Sequence, residues 1–361
     1  MTVPDPDAFA RLICDWCLEV NARQQVLVAI TTEALALMRS LHREILSRGA
    51  WPLLRLMPDQ LGADFYRFAR DIHLDSFAPI ELAEMESADA SLYVTAPTNT
   101  HAFAGIDPDR IVRVSRARIP VKEVRLSKRW CSTIWPTPGL AQAAGMGDDD
   151  YAAFVNRALF LDRPDPVAAW QELSDRQQRL VDRLNTANTI RIEADGTDLT
   201  LRVDGRTWIN SNGRRNMPSG EVFTGPLEDS ADGTIRFTVP SSPRGLLVED
   251  ATLTFEQGQV VTATAARGQE YLDAALATDA GARFLGEIGI GTNAGIDRPT
   301  GSILLDEKMA GTVHLALGRS YPETGGLNQS ALHWDLICDL RRGGRLSADG
   351  EVLNEDGVLV Q

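Results

Sequence analysis

Cysteine is scarce in this chain. Cys14, Cys17, Cys131 and Cys338 are the only four in 361 residues, too few for the disulfide framework of a small secreted domain. Cys14 and Cys17 form a C-x-x-C, but no second pair completes a zinc site. Phe9, Leu12, Ile13, Trp16, Cys17 and Val20 follow helical spacing, so these thiols read as reduced side chains in or beside a core stripe. Long apolar runs are also missing, and none approaches the ~18 residues of a membrane helix. Met1-Thr2-Val3-Pro4-Asp5 has neither a basic n-region nor an apolar h-region, so a cytoplasmic protein without a signal peptide is expected. Positive charge is outweighed: 36 Lys and Arg face 50 Asp and Glu, a net charge of -14. Such a surface repels phosphate backbones, so nucleic acid is not an expected partner.

Several catalytic signatures are absent as well. Gly289-x-Gly291 with Gly295 breaks the G-x-G-x-x-G spacing of a dinucleotide site. The apolar run Val26 to Ile30 leads into Thr-Thr-Glu and not into a glycine-rich phosphate loop. There is no G-x-S-x-G elbow and no H-E-x-x-H.

What is present is an ordinary globular composition, 43% hydrophobic and 24% charged, in a chain long enough for two domains. The first half alternates strands and helices. Val26–Ile30 reads as a buried parallel strand, and Trp51–Met57, Ser91–Ala96 and Ile111–Val114 read as further strands. Thr32 is a candidate cap for a helix whose apolar face is Leu37, Met38, Leu41 and Ile45, and Gly49 stands where that helix ends. This rhythm predicts a doubly wound α/β layer. Trp130 to Pro166 is irregular and rich in proline. A helix follows, with Trp170, Leu173, Leu180 and Leu184 on one side. The period then changes to two. Ile190, Ile192 and Ala194 alternate, Asp195-Gly196 turns, and Leu199, Leu201 and Val203 alternate again, which is a hairpin. Ile235 to Val239 and Ala251 to Phe255 repeat the pattern. The expected fold is therefore an N-terminal doubly wound α/β domain, 1–187, followed by a strand-rich α+β domain, 188–361.

The chain has five histidines, of which His314 and His333 are the candidates for chemistry. His42, His73 and His101 are scattered through the α/β half and read as structural or surface residues. In Ala331 to Ile337, strand alternation puts His333 and Asp335 on one face and Leu332, Trp334 and Leu336 on the other. Such a pair can reach one metal ion, or can simply hydrogen-bond to itself. In Gly311 to Gly318, Val313, Leu315 and Leu317 share one face, and His314, Ala316 and Gly318 share the other. Glu221 and Glu287 stand among glycines, a context that permits irregular loops and close approach. Glu307 precedes the His314 strand. These residues alone leave open a hydrogen-bonded strand pair, a mononuclear iron triad or half of a dinuclear site.

Five segments in order resemble the thermophilic-type metallo-aminopeptidases, the family of aminopeptidases T and S. They are Asn216 to Pro226, Gly286 to Asn293, Asp306-Glu-Lys308, Gly311 to Tyr321 and Asn328 to Asp335. Trp135-Pro-Thr-Pro138 and the α/β half are also similar to that family. The resemblance implies two adjacent divalent ions, zinc or cobalt, with manganese compatible. Glu221, Glu287, Glu307, His314, His333 and Asp335 would be the ligands. Tyr321 stands at the catalytic tyrosine, and Glu221 or Glu287 would meet the substrate's α-ammonium. It further implies short peptides as substrates and a homodimer. A rival reading is the Fe(II) ring-cleaving dioxygenases of dihydroxypyridines, to which Pro218-Ser219-Gly220 with Glu228-Asp229-Ser230 is similar. In those enzymes the Glu221 position is apolar and the Glu287 position is histidine. A metal-binding paralogue without turnover is a third reading.

Overall fold

The computed structural model describes residues 4–241 and 246–360; the start of the chain, Met1 to Val3, lies outside them. The chain divides into two compact units, 1–170 with 213–218, and 171–212 with 219–361. The division falls inside the helix Pro166–Leu184, earlier than the boundary at 187 read from the sequence. That helix sends Val181 and Leu184 into the core of the second unit, so its C-terminal part cannot be assigned by the change of period that follows it.

The first unit is a parallel sheet. Its strands are β1 (Gln25–Thr31), β2 (Trp51–Met57), β3 (Ala90–Thr95) and β4 (Arg129–Ile134). The order is β2-β1-β3-β4, and a short fifth strand from Asn216–Met217 pairs with β4. β1 is buried along almost its whole length, which is why it reads as an unbroken apolar run. The helix Leu35–Ser47 buries Leu37, Leu41 and Ile45. Thr32 does not cap it; its hydroxyl donates to Glu33, and a single 3₁₀ turn leads into the helix instead. Ile111 to Val114 is not a strand. It lies in the helix Pro108–Ala117, started by Asp107, whose carboxylate accepts from the Asp109 amide at 2.9 Å, and by a proline in the first turn. β4 takes its place in the sheet; with Arg129, Ser132 and Thr133 it has no apolar periodicity to announce it. All four cysteines are buried and free.

The second unit is built from two antiparallel sheets. Counting the Asn216–Met217 strand as β8, its strands are β5 (Thr189–Ala194), β6 (Thr197–Arg202), β7 (Ile209–Ser211), β9 (Glu221–Thr224), β10 (Asp232–Phe237), β11 (Ala251–Glu256), β12 (Gln259–Thr264), β13 (Leu285–Gly291), β14 (Thr312–Gly318), β15 (His333–Asp339), β16 (Arg345–Ala348), β17 (Glu351–Glu355) and β18 (Val358–Leu359). The larger sheet runs β12-β11-β10-β6-β5-β16-β17-β18, and the smaller runs β15-β14-β13-β9-β7. Ile190, Ile192, Leu199, Leu201, Ile235, Phe237, Leu253 and Phe255 from the larger sheet share one core with Ile288, Ile290, Val313, Leu315, Leu317, Trp334 and Leu336 from the smaller. Strand alternation then commits the opposite face of the smaller sheet to whatever those strands carry at their other positions.

Candidate metal centre

That opposite face carries nearly all of the candidate residues. Ile288, Ile290, Val313, Leu315, Trp334 and Leu336 point into the core, so Glu287, Gly289, Gly291, His314, Ala316, His333 and Asp335 point away from it. The register brings them side by side: Gly291 opposes Glu221, Gly289 opposes His314, Ala316 opposes Asp335 and Gly318 opposes His333. Glu221 and Glu287 therefore lie on regular strands, not in the loops that their glycine-rich context suggests. Glycine serves here to clear the face. A Cβ at Gly289 would sit 2.1 Å from the His314 ring, so the ring can lie across β13 only because that position is bare.

Glu307 follows the short helix Ile303–Asp306. Asp306 fixes that turn, accepting from the Thr300 amide and hydroxyl at 2.7 Å each and from the Gly301 amide at 2.8 Å. Gly291 lets the backbone at Lys308 and Met309 pass against β13, since a Cβ there would lie 2.1 Å from the Met309 carbonyl. Lys308 is fully buried, and its ammonium reaches Glu307 and, at 3.3 Å, Glu221. Lys308 lies within the matching segment Asp306-Glu-Lys308, yet nothing in the sequence marks it for a part in the site. A lysine beside two carboxylates in sequence carries no signal that it will be buried with them. His42, His73 and His101 are exposed in the first unit, as read.

The distances are informative. His314 Nε2 lies 3.4 Å from Glu287 Oε1 and 3.5 Å from Glu221 Oε2; His333 Nε2 lies 3.6 Å from both Glu287 Oε2 and Asp335 Oδ1. These exceed the about 2.7–3.2 Å of a good hydrogen bond, so a self-bonded His333–Asp335 pair does not describe the site. Two ligands each ~2.0–2.2 Å from one tetrahedral ion lie ~3.3–3.6 Å apart. The spacing thus fits side chains that share a cation. One atom of each of Glu221, Glu307 and His314, and of each of Glu287, His314 and Asp335, lie within 4.8 Å of one another. Glu221 Oε2 and His314 Nδ1 are buried with no hydrogen-bond partner among the described residues. His333 is oriented from behind: its Nδ1 lies 2.8 Å from the Arg319 carbonyl, which accepts the ring proton and leaves Nε2 as the lone-pair nitrogen facing the carboxylates.

Electrostatics point the same way. Burial pushes Glu221 above its ordinary value, with Glu307 and Glu287 adding to it against Lys308 and His314. Burial and Glu307 push Asp335 up to about 7. Burial also weighs on Glu307, but Lys308 and His314 outweigh it and hold that carboxyl low. Burial disfavours a charged His314, yet Glu287, Glu221 and Glu307 carry it up to about 9. Burial disfavours the Lys308 ammonium, but Glu221 and Glu307 hold it above its ordinary value, so it stays charged beside them. Four carboxylates against one ammonium is a surplus of negative charge that suits a cation. Tyr321 packs edge-on against His333, with centroids 5.1 Å apart, and against Phe223 at 5.7 Å. Burial and the carboxylates Glu287 and Asp335 raise its hydroxyl, keeping it protonated and able to donate. A cavity of about 250 Å³ opens beside His333 and Asp335, with Val239, Pro240, Ile303 and Ile337 in its wall.

A buried imidazole–carboxylate face of this kind has the donor set of a divalent-metal site. The chain belongs to the thermophilic metalloprotease family M29, which matches residues 5–357. It is a metallopeptidase, a hydrolase acting on peptides with a divalent metal. Aminopeptidase 2 of Geobacillus stearothermophilus is 32% identical, over 98% of this chain and 93% of that protein. The structure of AmpT from Thermus thermophilus superimposes with a TM-score of 0.84 at 24% identity, covering 99% of both chains. The 2,5-dihydroxypyridine dioxygenase of Pseudomonas putida shares the fold at a TM-score of 0.61 and 16% identity, over 98% of this chain and 96% of that one.

Proposed function

We propose that this protein is an aminopeptidase that removes N-terminal residues from short peptides at a dinuclear metal centre. Glu221, Glu287, Glu307, His314, His333 and Asp335 are the ligands. The observation that carries this is the set of 3.4–3.6 Å imidazole–carboxylate separations, which suit shared cations better than hydrogen bonds. Carboxylate and neutral imidazole suit zinc, cobalt or manganese. His314 Nε2 has one lone pair and serves one ion, so the two three-residue groups are partly shared sets rather than two complete sites.

A divalent metal held by these six residues would supply a water of lowered pKa and polarisation of the scissile carbonyl. The chain's own residues do the rest. Tyr321 donates its hydroxyl proton in a hydrogen bond to the tetrahedral oxyanion. Glu221 or Glu287 accepts the α-ammonium of the substrate, which restricts cleavage to N-termini. The cavity beside His333 and Asp335 gives an apolar side chain a place to lie. Relatives named aminopeptidase, matching over nearly the whole chain, support the reading. The second unit, which carries all seven residues, is the catalytic domain.

We place the protein in the cytoplasm as a homodimer. Free, buried cysteines and the lack of any long apolar helix among the described residues agree with the first. The edge strand β2, with Trp51, Leu54 and Leu56 exposed, agrees with the second; sedimentation at micromolar concentration tests it. The test of function is hydrolysis of aminoacyl-anilides with and without a chelator. Glu287→Gln and His333→Ala abolish metal-dependent turnover; an unchanged rate in either contradicts the ligand set.

A further inference from the structure

Among the described residues, Lys308 is the one charged group inside the cluster to which ligation and catalysis give no part. Its side chain has no exposure, and a buried ammonium costs several kcal/mol unless its surroundings repay it. Both of its ion-pair partners are proposed ligands, Glu221 and Glu307, and both belong to the same three-residue group with His314. Among the described residues it forms no ion pair with Glu287 or Asp335.

The atoms it engages are specific. The ammonium takes Oε1 of Glu221 and Oε1 of Glu307. Oε2 of Glu221 is left buried, without a hydrogen bond among the described residues, and turned to His314 Nε2 at 3.5 Å. One oxygen of the carboxylate is thus occupied, and the other is presented. The backbone that delivers Lys308 is itself held, since its carbonyl accepts from the Asn293 amide at 3.0 Å and its amide donates to the Leu305 carbonyl at 3.1 Å.

We propose that Lys308 is a positioning residue: it binds one oxygen of Glu221 and one of Glu307, and so presents these two carboxylates as single-oxygen ligands to one of the two ions. This rests on the dinuclear reading above. An ammonium this close also repels a cation, so its two effects have opposite signs. If positioning dominates, removing the charge splays two carboxylates that lose their common partner, and the ion they share binds more weakly. If repulsion dominates, that ion binds more tightly. Outer groups that orient metal ligands are worth roughly 10–100-fold in affinity, which sets the size expected.

The test is Co²⁺ binding to the full chain, followed by calorimetry and by the visible spectrum of the bound ion, for wild type, Lys308→Met and Lys308→Arg. Thermal unfolding checks that each is folded, and Lys308→Gln serves as the neutral variant if Met does not fold. The proposal expects the neutral variant to bind one of two ions about 10–100-fold more weakly with an altered spectrum, the other ion unchanged, and Arg to restore much of the loss. Unchanged binding and spectrum overturn it, as does tighter binding, and as does an equal loss in Arg and the neutral variant, which is the mark of packing alone. A wild type that binds one ion contradicts the dinuclear reading instead. The Lys308 proposal is then decided on that single ion, and an unchanged affinity in the neutral variant overturns it.

Discussion

Gly289→Ala is the sharpest perturbation of this site, because it adds one methyl group and removes no ligand. The new Cβ would lie 2.1 Å from both Cε1 and Nε2 of His314, whereas real Cβ contacts do not fall below 3.0 Å. The ring must therefore withdraw by about 1 Å, in a place where His314 has no exposure and little room to move. Nε2 is the atom that faces Glu221 and Glu287, so the displacement falls on the coordinating nitrogen itself. Metal–ligand distances tolerate only about 0.2 Å. A misplacement of about 1 Å at a reacting centre costs on the order of 100-fold in rate, and overpacking costs about 1–3 kcal/mol of stability. Gly289→Ala is expected to fold, to lose at least about tenfold in metal affinity by competition with a chromogenic chelator, and to lose about 100-fold in kcat/KM on an aminoacyl-anilide. Gly147→Ala is the control, since its Cβ would meet only the Asp150 carboxylate at 3.4 Å. A Gly289→Ala protein with wild-type affinity and rate refutes the placement of His314 at the centre.

Other expectations follow from the same face. Tyr321→Phe keeps metal content and KM and lowers kcat by about 10²–10³, the usual loss of one oxyanion donor; an unchanged kcat removes Tyr321 from the mechanism. Asp306→Ala leaves the Thr300 and Gly301 amides unpaired and costs about 1.5–3 kcal/mol in denaturant unfolding; a loss under 0.5 kcal/mol contradicts its role in holding the turn before Lys308. For cation-free protein, His314 is raised from 6.5 to about 9 and Asp335 from 3.8 to about 7. A raised folded pKa adds stability below the unfolded value and loses it as pH climbs through the folded one, so the contribution of these two groups to stability falls between about pH 4 and 9. Added zinc reverses that slope, because ions bind the deprotonated ligands; thermal unfolding across pH with and without zinc checks both signs.

Much of this site is legible in the sequence because a strand reports its faces every second residue. The alternation around His314 and His333 gave the correct faces, and the core now accounts for the other set, Val313, Leu315, Trp334 and Leu336. Glu221 and Glu287 misled locally. Glycine at every second position looks like a loop, but in β13 it is a cleared face, and only the partner strand shows what it is cleared for. Lys308 was not legible at all, since its burial depends on chain packing at Gly291, far from it in sequence. In the α/β half, short apolar runs such as Ile111 to Val114 do not separate strand from helix. Asp107-Pro108 settles that segment as a helix start, while the mixed polar β4 gave no pattern to read.

The most direct measurement is elemental analysis of the purified protein alongside aminoacyl-anilide hydrolysis. The account predicts two divalent ions per chain, turnover that stops on chelation, and recovery with zinc or cobalt. One iron per chain with oxygen uptake on a dihydroxypyridine and no peptide hydrolysis contradicts it, as does sustained hydrolysis by metal-free protein.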